Sequence, residues 1–145
     1  MNKNQTIGKK GEKIIKDLLI KNKIEYTDLT KNKIKQTVFV MIDDIEYKYD
    51  RLIYSHHFDL IVNDKNVEIK TSTLNKENKF NLTLTKNKKE LIDYIVLVIL
   101  KNNKPINYHC FNKEMFSKYK AIKLGNDIDS KINEKELINI FKTNS

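Results

Sequence analysis

Phe58-Asp59-Leu60-Ile61-Val62-Asn63-Asp64-Lys65-Asn66-Val67-Glu68-Ile69-Lys70 is the stretch on which the reading of the chain turns. Phe58 to Val62 is a compact apolar strand, and Asn63-Asp64-Lys65-Asn66 has turn chemistry. Val67 to Thr73 then continues as the antiparallel partner. Side chains two apart share a face of a strand, so Glu68 and Lys70 are expected to point together while Val67 and Ile69 face a core. The tight turn brings Asp59 alongside that pair. Two carboxylates and an ammonium on one sheet surface suit phosphodiester hydrolysis with a hard cation. The acids bind Mg²⁺ through oxygen, and the ion polarises the phosphate and lowers the pKa of a bound water. The lysine orients the attacking water and offsets charge growing on the phosphorus oxygens.

Acid-x-Lys alone is weak evidence, because it occurs four times: Glu46/Lys48, Glu68/Lys70, Glu77/Lys79 and Asp129/Lys131. Glu77/Lys79 and Asp129/Lys131 lie in polar stretches with no acid-bearing apolar strand upstream. Glu46/Lys48 reads as the exposed face of an amphipathic hairpin. Only Glu68/Lys70 has apolar residues at the alternate positions, an apolar strand before it and an acid at that strand's head. The competing reading is a cross-strand ion pair on a solvated sheet face.

Outward from this segment, Gly11 to Asn22 has the apolar spacing of a helix, with Ile14, Ile15, Leu18 and Leu19 as its stripe. Glu12 lies close to Ile15 and Leu19 on the wheel, at the edge of the buried face. An acid there is costly unless paired or near a cation, although first-turn stabilisation of a helix is the simpler role. Ile24 to Leu29 reads as a short strand, and Gln36 to Ile42 with Ile45 to Tyr54 as a hairpin around Asp43-Asp44. Downstream, Phe80–Leu84 reads as a strand and Lys86–Asp93 as a helix. Tyr94–Leu100 reads as a strand buried on both faces. Pro105 is expected to close a turn before an edge strand, Ile106–Phe111. Asn112 caps a helix reaching Tyr119, and Asn133 with Glu136 has capping-box spacing for the last helix. Gly125 to Lys131 is the most loop-like stretch. The order indicates an α/β sandwich around a mixed sheet, a single domain over 1–145.

The net charge is +9 over 145 residues, which points to a polyanionic partner. All basic residues but Arg51 are lysines scattered along a chain also rich in asparagine and isoleucine, a bias that A+T-rich coding produces by itself. One cysteine, Cys110, excludes an internal disulfide framework and suits a reducing compartment. Tyr94–Leu100 is too short to cross a bilayer, and Met1–Gln5 leads into no apolar leader. The expectation is a cytoplasmic protein, or one inside a host cell if viral, with no membrane association. His56-His57 face opposite ways on a strand and cannot easily share one ion. Thr71, Ser72 and Thr73 are placed to hydrogen-bond a DNA phosphate, and Cys110 beside His109 reads as a small core residue.

The arrangement resembles the PD-(D/E)XK nuclease superfamily, whose restriction-endonuclease-like core runs helix, three strands, helix, strand (αβββαβ). Gly8-Lys9-Lys10-Gly11-Glu12 is similar to the Gly-rich, Glu-bearing helix of archaeal Holliday-junction resolvases. The resemblance implies Asp59 and Glu68 as metal ligands, the Ile69 carbonyl as a further one, Lys70 as the catalytic lysine and Glu12 as an auxiliary ligand. It implies an endonuclease acting on DNA with Mg²⁺, for which Mn²⁺ substitutes, and leaving 5′-phosphate and 3′-hydroxyl ends. Phe58 stands where the family often has proline. About forty-five residues separate Glu12 from Asp59, and the excess is the Gln36–Tyr54 hairpin inserted in the core. There Tyr47, Lys48, Tyr49 and Arg51 interleave rings with cations as a DNA-contacting arm does; a sheet extension or dimer contact is the other reading. Cutting two strands with one small site favours a homodimer. A structure-selective resolvase, a sequence-specific restriction or homing enzyme, and a silent DNA-binding module with the same fold are the functional alternatives. A protein-interaction domain is the bland one.

Overall fold

The computed structural model describes residues 2–30, 33–54, 58–124 and 129–143, with Asn4, 33–36 and 51–54 as backbone only. The elements in order are α1 (Lys3–Lys21), β1 (Tyr26–Asp28), β2 (Lys33–Ile42), β3 (Ile45–Tyr54), β4 (Leu60–Val62) and β5 (Lys65–Thr73). A 3₁₀ turn (Leu74–Lys79), β6 (Asn81–Thr83), α2 (Lys86–Leu91), β7 (Tyr94–Lys101) and β8 (Lys104–Asn112) follow. The chain continues through α3 (Lys113–Lys118), β9 (Ala121–Lys123), β10 (Lys131–Ile132) and α4 (Glu134–Lys142).

Six strands form a central mixed sheet in the order β1-β4-β5-β7-β8-β10. All neighbours run antiparallel except β5 and β7, which are parallel and carry the α2 crossover between them. The crossover is pinned at its end, where Asp93 accepts from the Asn66 N–H at 2.8 Å and returns its own N–H to the Asn66 carbonyl at 2.8 Å. Strand β7 alternates between two cores. Val96, Val98 and Leu100 pack with Ile15, Leu19, Val67, Leu137 and Phe141 under α1 and α4. Ile95, Leu97 and Ile99 pack with Phe111, Phe116 and Ile122 on the opposite side. Burial on both faces is what its unbroken apolar run requires. The result is an α/β fold with helices flanking a mixed sheet.

Three hairpins turn on Asp43-Asp44, Asn63-Asp64 and Asn102-Asn103, every one of these residues at positive φ between 49° and 65°. Two-residue turns of this kind match the twist of the strands they join, and Asn and Asp tolerate the left-handed region. At the second of them Lys65 and Asn66 belong to β5 rather than to the turn. Lys65 is buried, and its ammonium donates to the Ile140 and Thr143 carbonyls, so the β4–β5 hairpin holds the C-terminal end of α4.

Several boundaries differ from expectation. Helix α1 starts at Lys3, because Asn2 and Gln5 form a capping box there; Gly8 and Gly11 therefore lie inside the helix instead of opening it. Pro105 does not close a turn. The turn is Asn102-Asn103, and Pro105 sits in β8 opposite Leu100, where a register shift accommodates a residue without an N–H. Strand β8 is not an edge: Lys131, the last residue of the stretch expected to be loop, starts β10, which pairs outside it through Lys131↔His109 and Ile132↔Tyr108. Asn112 and the Asn133–Glu136 capping box do start α3 and α4. Among the described residues no helix is long and apolar enough to cross a membrane.

Candidate functional site

The site forms where β4 and β5 part company. Their ladder runs only from Val62↔Lys65 to Leu60↔Val67, so beyond Val67 the edge of β5 has no strand partner on that side. Asp59 occupies the gap. Its N–H donates to the Val67 carbonyl at 3.0 Å, its carbonyl accepts from the Leu29 N–H at 2.9 Å, and its Oδ2 accepts from the Ile69 N–H at 2.7 Å. A residue's N–H and C=O face the same edge of its strand, as in doubly bonded antiparallel pairs. The Ile69 carbonyl therefore faces the Asp59 edge as well.

Glu68 and Lys70 lie on the opposite face of β5 from Val67 and Ile69, in register with Ile95 and Leu97. That face is not solvated. Glu68 is only 7% exposed, and its Oε2 is buried without a hydrogen-bond partner. Burial, then the charge of Asp59 and its side-chain contact, push the Glu68 carboxyl up to about 7 against the pull of Lys70 and Lys88. The Lys88 ammonium, from α2, stands 4.0 Å from Oε2. A cross-strand ion pair in water does not describe this carboxylate.

Glu12 comes from α1, and Gly11 explains how it arrives. A Cβ at Gly11 would overlap the Thr71 side chain on β5, whereas Gly8 has open space. The missing side chain lets α1 press onto the strand that carries Glu68 and Lys70. The Glu12 carboxyl is raised by burial first and by the charge of Asp59 next, with Lys16 opposing and Asp28 adding. Lys16 itself is engaged, its ammonium 2.8 Å from Asp28 Oδ2. Burial raises Asp28, but the hydrogen bonds from Lys16 and Thr30 outweigh it and leave that carboxyl below its usual range.

Asp59, Glu68, Lys70 and the Ile69 carbonyl are thus brought together, and Glu12 is felt there through charge. Among the described residues no three His, Cys, Asp or Glu side chains gather as one ligand set, so Glu12 does not join the two carboxylates as a third direct ligand. Mg²⁺ is commonly held by one or two carboxylates with several waters. Two crowded carboxylates, an orphaned oxygen and a carbonyl on the same edge fit such an ion. Ser72 is two residues beyond Lys70 on the same face, half-buried.

Lys48 is not part of this cluster. It is exposed on β3, opposite Phe39, while Tyr47 and Tyr49 point to the other face of the hairpin. The period of a strand is two, so Lys48 faces away from Tyr47 and Tyr49, whereas the backbone position of Arg51 continues the face of the two rings. The Arg51 side chain, His56 and His57 lie outside the described residues.

One partner of the cluster and one separate buried network carry no local sequence signal. Lys88 sits in the run Lys86-Asn87-Lys88-Lys89, where nothing local singles it out. The separate network is Glu77, His109 and Ser130. His109 Nε2 is 2.6 Å from Glu77 Oε2, its Nδ1 is 2.8 Å from Ser130 Oγ, and Asn107 donates to both Glu77 oxygens at 3.1 and 3.3 Å. His109 and Ser130 are buried, and the pairing partners of His109 come from segments some 20 to 30 residues away, so spacing could not have found them. Cys110 points to the other core and makes no pair with His109; burial pushes its thiol up to about 12, which leaves it inert.

An α/β fold with an acid-lined notch at a strand edge is the class that the geometry defines. Compared with protein-family models, curated proteins and solved structures, the chain matches none.

Proposed function

We propose that this chain is a Mg²⁺-dependent endonuclease acting on DNA, built on a restriction-endonuclease-like core. The succession α1, β1, β4, β5, α2, β7, read with β2–β3 and β6 as insertions, supports that reading, its strands neighbouring antiparallel, antiparallel and parallel. The observation that carries the reading is the Glu68 carboxylate, buried against Asp59, with Oε2 making no hydrogen bond and the Lys88 ammonium 4.0 Å away. A carboxylate held that way is poor structural design unless a closer cation completes it.

Asp59, Glu68 and the Ile69 carbonyl would hold the ion, with Glu12 acting through water. Mg²⁺ held there, or Mn²⁺ in its place, would supply polarisation of the phosphate and a water of lowered pKa. Lys70, on the same face as Glu68, orients the attacking water and offsets charge on the phosphate oxygens. Glu12 adds negative charge beside Asp59 and strengthens the cation's hold. Ser72 extends this face toward a DNA phosphate. The net charge of +9 favours a nucleic-acid substrate. A homodimer places two such notches on opposite strands of a duplex.

The test is purified protein with Mg²⁺, or Mn²⁺, on four-way junctions and on linear duplex. Cutting of either, abolished by chelator and by Lys70→Ala, supports a nuclease; a preference for the junction selects the resolvase form. Equal cutting of both selects the restriction or homing form. Salt-sensitive DNA binding without any cutting marks a silent binding module instead.

A further inference from the structure

Two lysines lie close to the Asp59–Glu68 notch, and their ion pairs are unlike. Lys16, from α1, closes on Asp28 with 2.8 Å between ammonium and Oδ2, and neither side chain is more than 25% exposed. Its ammonium also donates to Thr30 Oγ1 at 3.2 Å. Lys88, from α2, stands 4.0 Å from Glu68 Oε2, too far for a hydrogen bond, and its side chain is 38% exposed. The first pair is closed and the second is open.

Lys88 is anchored at its base. Thr85 caps α2, and its Oγ1 accepts from the Lys88 N–H at 3.2 Å. The Lys88 carbonyl accepts from the N–H of Ile92 at 2.9 Å, and Ile92 is fully buried in the second core. The next residue, Lys89, has an anchor for its head instead, donating to the Tyr119 carbonyl at 3.0 Å. From a fixed backbone the four-carbon stem of a lysine carries its ammonium to more than one position.

An ammonium beside Oε2 and a divalent ion compete for the same oxygen. Mg²⁺ binds carboxylate oxygen at about 2.0–2.1 Å, inside the gap that Lys88 leaves. With Glu68 so engaged, Lys88 loses its counter-charge and is repelled by the ion. A phosphodiester drawn to that ion offers the freed ammonium a new anion.

We propose that Lys88 is an exchangeable counter-ion, attending Glu68 in the absence of a divalent cation and passing to a DNA phosphate when the cation takes its place. The inference deepens the nuclease reading by giving α2 a phosphate contact; it rests on the cation site of that reading and not on cleavage. Cation and DNA then each strengthen the other's hold, because both favour the same position of Lys88.

Mn²⁺ titration of the full chain at pH 8 without DNA, followed by the electron paramagnetic resonance of the free ion, is the first test. Lys88→Met removes the competitor and tightens Mn²⁺ by about 5-fold, as does Lys88→Gln, while Lys88→Arg and Lys89→Met stay within about 2-fold of the parent. A merely structural lysine predicts the opposite sign. The second test is duplex affinity across a salt series in the Lys70→Ala background, which keeps the DNA uncut. There, adding Lys88→Met lowers the slope of log affinity against log salt by about 0.9 with Mg²⁺ and leaves it unchanged with chelator. Circular dichroism verifies that each variant is folded. Mn²⁺ affinity unchanged or weakened in Lys88→Met and Lys88→Gln overturns the proposal, as does a slope change that is absent with Mg²⁺ or equal with chelator. A parent that takes up no Mn²⁺ overturns the proposal and the cation site together. The expected Mn²⁺ and slope results in a parent that cuts neither duplex nor junction sink the nuclease reading alone.

Discussion

The hairpins β2–β3 and β4–β5 are built from the same local grammar and end in opposite chemistry. Each turns on two left-handed acidic or amide residues, and each carries Glu-x-Lys on its second strand. Glu46 and Lys48 are exposed, on an arm with no core beneath it. Glu68 is buried between Asp59, Lys70 and Lys88. The difference lies in what surrounds the second strand. Strand β5 is sandwiched between β4 and β7 and pressed by α1 through Gly11, whereas β3 has one neighbour. Identical spacing becomes a site only where tertiary packing strips water from one carboxylate and sets another beside it.

The largest contrast is expected in cleavage. On the proposed nuclease reading, Lys70→Ala and Glu68→Gln lower kcat by at least about 10³-fold, through loss of charge stabilisation and of a proposed ligand. Glu46→Gln and Lys48→Ala, measured at saturating DNA, stay within about 3-fold. Initial rates on a labelled duplex or junction separate the two hairpins. Comparable losses in both would dissolve the distinction.

Stability against pH comes next. The folded-state carboxyl of Glu68 sits above its ordinary value of 4.5, at about 7. The folded form then holds a proton the unfolded chain has released, so stability is full below about 4.5 and is lost as pH rises through 7. Without divalent cation, Glu68→Gln is therefore more stable than the parent at pH 8, by up to about 3 kcal/mol, and close to it at pH 4.5. Urea unfolding at the two pH values checks this, and Mg²⁺ restores the parent but not Glu68→Gln.

Helix α1 sharpens the contrast further. Gly11→Ala forces a methyl into Thr71 and destabilises by about 2 kcal/mol, while Gly8→Ala gains up to about 1 kcal/mol of helix propensity. The smallest effects are expected in DNA affinity, at Lys48 on β3 and Ser72 on β5. Lys48→Ala reduces the slope of log affinity against log salt by about 0.9, and Ser72→Ala weakens binding without changing that slope. Fluorescence anisotropy across a salt series reads both.

Much of this contrast was legible in the residues. Apolar alternation around Glu68, the head acid Asp59 and the caps at Asn112 and Asn133 are local signals, and local signals survive folding. The first turn of α1 is polar and carries no apolar stripe, so the sequence shows the helix only from Gly11 although Asn2 and Gln5 cap it. A proline punctuates more strongly than two asparagines, so Pro105 rather than Asn102-Asn103 reads as the turn. Strands β9 and β10 are three and two residues long and exist only through distant partners. Lys88 meets Glu68, and Glu77, His109 and Ser130 meet one another, from distant segments, and no spacing rule encodes such meetings. The burial of Glu68 was also invisible: the sequence pattern places it on a face, and only β7, α2 and Asp59 make that face dry.

Anomalous diffraction from crystals grown with Mn²⁺ at pH 8 tests the cation claim most directly. The expected result is a peak bounded by the Asp59 and Glu68 carboxylates and the Ile69 carbonyl, lost in Glu68→Gln. Crystals in which that notch holds no manganese, with Glu68 still buried and Lys88 still beside it, would contradict the account.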